Sequence, residues 1–267
     1  MRSFIGAASG AVFILLTLTA CTYNAELGRS QLLLAGPASM AQAAAGSWTQ
    51  LKRQRQVSRD PRYTSRLERV APRLLRAAGE NPSDWEYLVF DDDSLNAFAL
   101  PGGRIGIHTG IMNIMQNDAQ LAAVVGHEIA HVRYRHSAER YSQSMIASVG
   151  IGAAGIAAGA NCGGTAQERR RCEQRSGALA QIFGVGAIYG AILPYSRKHE
   201  LEADKGGVRY MAQAGYDTCE ALEFWRRMAA ASQGQSRPPE FASTHPASQT
   251  RINNLSKVVG QMGQRCS

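Results

Sequence analysis

Several features of common protein classes are missing from this sequence. It has no Gly-X-Y repeat, no internal repeat and no charge-heavy segment, and its apolar runs are few. These absences exclude a collagen-like fibre, a disordered tail and a polytopic membrane protein. No cysteine pair has the C-x-x-C spacing of metal ligands. What remains is a chain of 267 residues, 45% of them hydrophobic, which can bury a core as one large domain or two small ones.

Positive charge exceeds negative charge in this chain, with 29 Lys and Arg against 21 Asp and Glu and a net charge of +8. No nucleic-acid-binding motif accompanies the excess, so nucleic acid is not an expected partner. We interpret the charge as an affinity for anionic lipid or for a polyanionic envelope surface.

The N-terminal segment has the features of an export signal. A basic start precedes an apolar stretch, and the order Leu-Thr-Ala-Cys over residues 18–21 resembles the bacterial lipoprotein box. We therefore predict a lipoprotein signal peptide over residues 1–20 and acylation of Cys21, which would anchor the chain in a lipid membrane. Thr22 after the cysteine favours the periplasmic side of the outer membrane. An ordinary cleaved signal and an uncleaved anchor are the alternatives.

Export permits disulfide bonds, and the four cysteines beyond Cys21 allow three pairings. We predict a Cys162–Cys172 bond, because this pair brackets a short polar loop. We also predict a Cys219–Cys266 bond, because it would tie down the C-terminus. Four free thiols are the alternative.

The remaining pattern predicts an α+β fold that is mostly helical, with a small β-sheet. Residues 21–59 are expected to form the lipid anchor and a tether, and residues 60–267 the folded domain. A helical hairpin insert is predicted over about residues 144–195, because its charge-free stretches are rich in Gly and Ala. Insertion of this hairpin into the membrane is the alternative. The other predicted helices cover about residues 61–78, 118–142, 197–214, 219–232 and 247–260.

The centre of the predicted helix over residues 118–142 carries His127-Glu128-Ile129-Ala130-His131. Two histidines at positions i and i+4 project from one helix face and can bind one metal ion. The alternative is a pair of core histidines that bond backbone carbonyls. A catalytic zinc ion takes three protein ligands and keeps an open position for water, so a third ligand is expected downstream.

Glu200 is the best candidate for the third ligand. Glu200 and Asp204 share a helix face, whereas Glu202 points about 200° away and is expected in solvent. Asp204 can accept the second ring N–H of a ligating histidine. Glu128 would act as the base that deprotonates a zinc-activated water. His136 lies about 180° around the helix from His127 and is also expected in solvent.

Four motifs follow one another along the chain: Asn96–Gly103, His127–His131, Ser196–Asp204 and Ser243–Pro246 leading to Arg251. Together they resemble the zinc peptidase family that includes HtpX and the CAAX prenyl proteases, and most closely its periplasmic BepA and LoiP branch. The resemblance covers about residues 60–260. It implies a gluzincin-type fold, Glu128 as the catalytic base and one Zn²⁺ per chain on His127, His131 and Glu200. It also implies misfolded or misassembled envelope proteins as substrates.

The segments Asn96–Leu100 and Arg104–His108 flank a Pro-Gly-Gly turn and predict a pair of strands. A peptide substrate is expected to lie along the first strand or its neighbour and to bond with the backbone of an exposed sheet edge. Gly102 and Gly103 would turn the backbone without side chains that block the cleft. The residues assigned to this substrate edge are Asn96, Ala97, Phe98, Gly102 and Gly103.

His245 stands before a proline at the start of the last predicted helix, and three roles for it stay open. A protonated imidazole could stabilise the oxyanion of the reaction, with Arg251 as a second candidate for that role. A neutral imidazole could instead occupy the open zinc position and restrain the enzyme. Its third possible role is to cap the helix.

The sequence thus predicts a zinc endopeptidase at the periplasmic face of the cell envelope. A chaperone or outer-membrane assembly factor that keeps a structural zinc site is the first alternative. A lipoprotein binding module with an adventitious metal is the second. Glu128 favours hydrolysis, because a protein without catalysis has no need for the base.

Overall fold

The computed structural model describes residues 21–146, 196–232, 240–246 and 249–266, together with residue 167. The chain divides into two compact units, residues 1–39 with 137–188 and residues 40–136 with 189–267. The predicted signal peptide, the hairpin insert beyond residue 146 and the Cys162–Cys172 pair lie outside the described residues. The expected fold class, mostly helical with small sheets, is confirmed.

A β-hairpin begins the described part of the first unit. Strand β1 (Cys21–Asn24) pairs antiparallel with β2 (Arg29–Leu32), so that Cys21 lies opposite Leu32. Glu139, from a helical segment over residues 136–146, accepts two hydrogen bonds from Arg29 at 2.7 and 2.8 Å. Gln31 donates a third at 2.7 Å. This carboxylate therefore holds the hairpin.

Helix α1 (Pro37–Gln54) occupies the region where the sequence predicts a tether. Its Ala-rich sequence favours a helix, and Met40, Ala44 and Trp48 recur every four residues on its buried face. The indole of Trp48 packs against Phe90 at 5.7 Å between ring centroids and donates a hydrogen bond to Glu86. The structure thus differs from the tether expectation, because these apolar contacts hold the segment in place.

The sheet of the second unit has three strands in the order β3, β5, β4. Strand β5 (Arg104–His108) runs parallel to β3 (Glu86–Phe90) and antiparallel to β4 (Ala97–Leu100). The predicted strand pair is therefore present. However, both edges of β5 are paired, so the alternative that a peptide bonds along Arg104–His108 is wrong, and β4 forms the edge of this sheet.

Helices form most of the second unit. Helix α4 has apolar residues on nearly every side, and the Asn117 side chain caps it by accepting the N–H of Gln120 at 2.9 Å. Arg66 and Arg69 of α2 both pair with Asp118 at the start of α4. Among the helices of the described residues, none combines the length and apolar character needed to cross a membrane. The helices are α2 (Pro61–Ala77), α3 (Thr109–Asn113), α4 (Asp118–Arg133), α5 (Arg197–Gln213), α6 (Cys219–Ser232), α7 (Glu240–Thr244) and α8 (Gln249–Gln261).

The long helix predicted over residues 118–142 is interrupted. Helix α4 ends at Arg133, and Arg135 has a φ of 55°, in the left-handed region. Helical geometry resumes at residue 136. Left-handed backbone is unfavourable for a residue with a Cβ, so the interruption is a specific turn that redirects the chain at His136.

Helices α4 and α5 approach closely where two glycines meet. A Cβ on Gly207 would lie 2.9 Å from the backbone nitrogen of His127, and one on Gly126 would lie 3.1 Å from the carbonyl oxygen of Gly207. Only glycine permits such an approach of two backbones.

The disulfide predicted between Cys219 and Cys266 is present, with 5.4 Å between the Cα atoms. It joins the start of α6 to the segment after α8. Cys21 is an exposed free thiol.

Replacement of Gly207 by alanine should lower the free energy of unfolding by about 1–3 kcal/mol, because the new Cβ would meet backbone rather than a movable side chain. Urea unfolding measures this change. The control is Gly260→Ala in α8, where a Cβ would meet open space. This control should gain up to about 1 kcal/mol from helix propensity. Equal unfolding midpoints for Gly207→Ala and wild type would contradict the packing argument.

Candidate metal centre

Four buried side chains converge in the second unit. His127 and His131 project from α4, Glu200 from the first turn of α5, and His245 follows α7. Each offers one ligand atom, and these atoms all lie within 4.8 Å of one another. The structure therefore brings together the three residues that the sequence assigns to zinc, with His245 beside them.

The spacing of these atoms fits a tetrahedral zinc ion. The Nε2 atoms of His127 and His131 lie 3.0 Å apart, and each is 3.4 Å from an oxygen of Glu200. Zinc–ligand bonds of about 2.0–2.1 Å place the corners of a tetrahedron about 3.3 Å apart. Two imidazoles and a carboxylate are also ligands that zinc prefers.

The electrostatics of the cluster favour an additional positive charge. Burial by itself lowers the pKa of His127, but hydrogen bonds to Asp204 and Glu200 outweigh it and raise the pKa to about 9. Burial holds the pKa of His131 well below its usual value, which keeps this imidazole neutral and able to bind a metal. The site thus offers a neutral ligand and attracts a cation.

Asp204 and Arg251 support the cluster from behind. Asp204 Oδ1 lies 3.0 Å from His127 Nδ1 and accepts its N–H when Nε2 faces the metal. Arg251 donates two hydrogen bonds of 2.7 Å to Asp204 and contacts Glu200 at 2.8 Å. Its guanidinium also lies 3.8 Å from the ring centroid of Trp225. Arg251 therefore orients two carboxylates, and its suggested role at the oxyanion is not supported.

Glu128 lies between the cluster and the sheet. Its Oε2 accepts the backbone N–H of Ala99 in β4 at 2.9 Å. Its Oε1 is buried, lies 3.4 Å from His245 Nε2 and has no hydrogen-bond partner among the described residues. Burial raises the pKa of this carboxyl. A buried acceptor without a partner is uncommon and suits a group that bonds to water or substrate.

His245 occupies a fourth position around the cluster. Its Nδ1 lies 3.2 Å from His127 Nε2 and 3.1 Å from Glu200 Oε1, which are again separations typical of a tetrahedron. The last turn of α7 positions it, because its backbone N–H bonds to the carbonyl of Phe241 at 2.7 Å. The structure therefore places this imidazole beside the three metal-ligand candidates.

The prediction that His136 is solvated is wrong, and Glu202 is only partly exposed because it contacts His136. His136 is fully buried, with its Nδ1 3.0 Å from His131 Nδ1 and its Nε2 3.1 Å from Glu202 Oε2. The angular argument failed because α4 ends at Arg133 and the turn at Arg135 redirects the chain. No local sequence pattern signals this contact, since it joins residues 66 apart.

The residues assigned to the substrate edge have structural roles in the sheet. Gly102 and Gly103 have φ values of 84° and 77° in the turn, and a Cβ on Gly103 would lie 2.9 Å from the carbonyl oxygen of Asp84. Phe98 covers Gly106, where a Cβ would lie 2.3 Å from its ring. The turn and its packing therefore account for Gly102 and Gly103. Ala97 lies in β4, and Asn96 immediately precedes that strand.

Comparison with known proteins places this geometry in a family. A model of Peptidase family M48 matches residues 61–259. The chain is similar to the mitochondrial metalloendopeptidase OMA1 of Schizosaccharomyces pombe, with 35% identity over 71% of this chain and 51% of the relative. It is also similar to the same enzyme of Saccharomyces cerevisiae, with 33% identity over 72% of this chain and 54% of the relative.

A bacterial relative is the beta-barrel assembly-enhancing protease of Escherichia coli, with 28% identity over 80% of this chain and 42% of the relative. The chain thus spans about half the length of the curated relatives it matches. The family match includes both helices that carry the metal-ligand candidates, and the chain belongs to Peptidase family M48, a metallopeptidase family.

Proposed function

We propose that this protein is a zinc-dependent endopeptidase of the bacterial cell envelope. The observation that carries the proposal is the Glu128 oxygen that lies buried, without a hydrogen-bond partner in the described residues, beside a cluster of zinc-type ligands. Bound zinc would activate a water molecule and polarise the peptide carbonyl. His127, His131 and Glu200 would hold it.

Glu128 performs the proton transfers in this proposal. Its Oε2 is fixed by the N–H of Ala99, which leaves Oε1 directed into the site. Oε1 takes a proton from the attacking water and delivers it to the leaving amine. The raised pKa of this buried carboxyl brings it closer to neutral pH, where a base can both accept and return a proton.

The edge of β4 is the proposed binding surface for an extended peptide. The N–H of Ala99 points away from β5 and toward Glu128, so alternation along the strand directs the backbone groups of Ala97 to the same side. A substrate that bonds there would lie next to the base. Recognition through the backbone implies loose sequence specificity, which suits unfolded chains.

We also propose the periplasmic side of the outer membrane as the location, with residues 60–267 as the peptidase domain. The lipoprotein-type segment before Cys21 supports this, as does the exposure of the Cys21 thiol. The bacterial relatives named for beta-barrel assembly support misfolded or misassembled envelope proteins as the substrates.

Glu128→Gln should keep zinc but lower peptidase activity by about 10²- to 10⁴-fold, because the amide can still accept the Ala99 N–H but cannot take a proton. Zinc quantitation with casein cleavage measures both properties. The matched control is His131→Ala, which should lose the metal as well. Equal turnover by Glu128→Gln and wild type would rule out the mechanism, and an inactive wild type with bound zinc would favour the assembly-factor alternative.

His245→Ala should raise the activity of the purified protein while zinc stays bound, because the Nδ1 of His245 fills the fourth position around the ligand cluster. This is the restraining role. Casein cleavage per bound zinc is the measurement. Loss of activity with zinc retained would instead assign His245 to the oxyanion, and unchanged activity would leave it a structural role.

Mass spectrometry of the exported protein should find an acylated Cys21 as the first residue. The Cys21→Ala variant should be absent from the membrane fraction, because the acyl chains provide the anchor. An intact signal segment in the mature protein, or a Cys21→Ala variant that stays with the membrane, would contradict the lipoprotein assignment.

A further inference from the structure

Two residues outside the ligand cluster, the buried His136 and the partly exposed Glu202, lie behind one metal-ligand candidate. His136 contacts the ring of His131 on the side away from the cluster, and Glu202 contacts His136 in turn. We propose that Glu202 and His136 are positioning residues, which fix the orientation of His131 and the ring nitrogen it presents to the metal. This inference rests on the metal site of the proposed function but not on its peptidase activity.

The way His131 would bind the metal determines which atom donates and which accepts in the hydrogen bonds behind it. The Nε2 of His131 faces the cluster, 3.0 Å from His127 Nε2 and 3.4 Å from Glu200. An imidazole that binds a metal through Nε2 carries its proton on Nδ1. That N–H is 3.0 Å from His136 Nδ1, which must accept it.

The same reasoning continues to the carboxylate. Because Nδ1 of His136 accepts, a neutral His136 carries its proton on Nε2, and this N–H donates to Glu202 Oε2 at 3.1 Å. With these roles, the hydrogen bonds from His131 to His136 and from His136 to Glu202 leave the Nε2 lone pair of His131 available to bind a metal.

A carboxylate supports each of the two histidine ligands, in one case directly and in the other through a second imidazole. Asp204 contacts His127 directly, whereas Glu202 reaches His131 through the His136 ring. Such carboxylate contacts raise the basicity of the ligand and fix its ring. Helix α5 supplies the metal ligand Glu200 and both supporting carboxylates.

The backbone and the packing hold His136 in this position. Arg135 adopts the left-handed conformation, which is unfavourable for a residue with a Cβ. The imidazole of His136 stacks on His199, with 4.4 Å between the centroids and 22° between the planes. A strained turn that delivers a fully buried imidazole to a metal ligand is typical of a functional constraint.

A second metal ion is the rival explanation, because His136, His199 and Glu202 also lie close enough to bind one. The hydrogen bonds favour positioning, since both ring nitrogens of His136 are already engaged by His131 and Glu202. A metal on His136 would have to displace one of these contacts. The two explanations predict different zinc stoichiometries.

Zinc affinity tests the proposal without a substrate. In competition with a chelator, His136→Ala and Glu202→Ala should each weaken zinc binding by about 10- to 100-fold, while wild type binds one zinc per chain. Because Glu202 acts through His136, the double variant should bind zinc no more weakly than His136→Ala. His136→Asn should recover part of the loss, since its amide oxygen can accept the His131 N–H.

Glu223→Gln is the matched control, because it removes a carboxylate charge at an exposed position in α6. It should leave zinc affinity unchanged. Thermal unfolding of the metal-free proteins separates a fold defect from a ligand defect. Where His136→Ala fails to fold, Glu202→Gln decides the matter, because a side chain of the same shape without the charge should still weaken zinc binding.

Wild-type affinity in Glu202→Gln and His136→Asn together would overturn the proposal. So would a wild type with two zinc ions that loses one in these variants, which would assign a second metal site. A wild type that binds one zinc but cleaves no casein would contradict the proposed function alone, because the affinity measurement does not depend on cleavage.

Discussion

The close antiparallel packing of α4 against α5 is the contact on which the site depends. At Gly126 and Gly207 the two backbones approach so closely that a Cβ on either residue would meet the other helix. This approach sets His127 opposite Asp204 and His131 opposite Glu200. A wider separation of the helices would break both contacts together, because the paired residues lie on the same two rigid helices.

The buried charges of the site are balanced by contacts from the C-terminal helices. Burial disfavours the ionised carboxyls of Glu200 and Asp204, but the Arg251 guanidinium contacts both and helps to keep their pKa values low. Arg251 comes from α8, and the Trp225 ring beneath it comes from α6. The Cys219–Cys266 disulfide joins the start of α6 to the end of the chain after α8. The C-terminal region therefore helps to position the side chains of the candidate metal centre.

A backbone group at the edge of the sheet bonds directly to a side chain of the candidate metal centre. The N–H of Ala99 at the edge of β4 bonds to Glu128, which lies next to the metal-ligand candidate His127 on α4. Trp48 of α1 packs against the aromatic rings of this sheet. The family match begins at residue 61, so α1 lies outside it while supporting the sheet that carries the edge.

The sequence by itself determined the features that depend on local geometry. Backbone hydrogen bonding sets the period of a helix, so the spacing of His127 and His131, and of Glu200 and Asp204, was enough to place each pair on one face. Only the tertiary structure decided that α4 ends at Arg133, that His136 meets Glu202 and that Arg251 pairs with Glu200 and Asp204. The central position of β5 and the packing of α1 against the sheet were decided in the same way. These features depend on burial and on contacts between residues far apart in the chain, whose energies no local window of sequence contains.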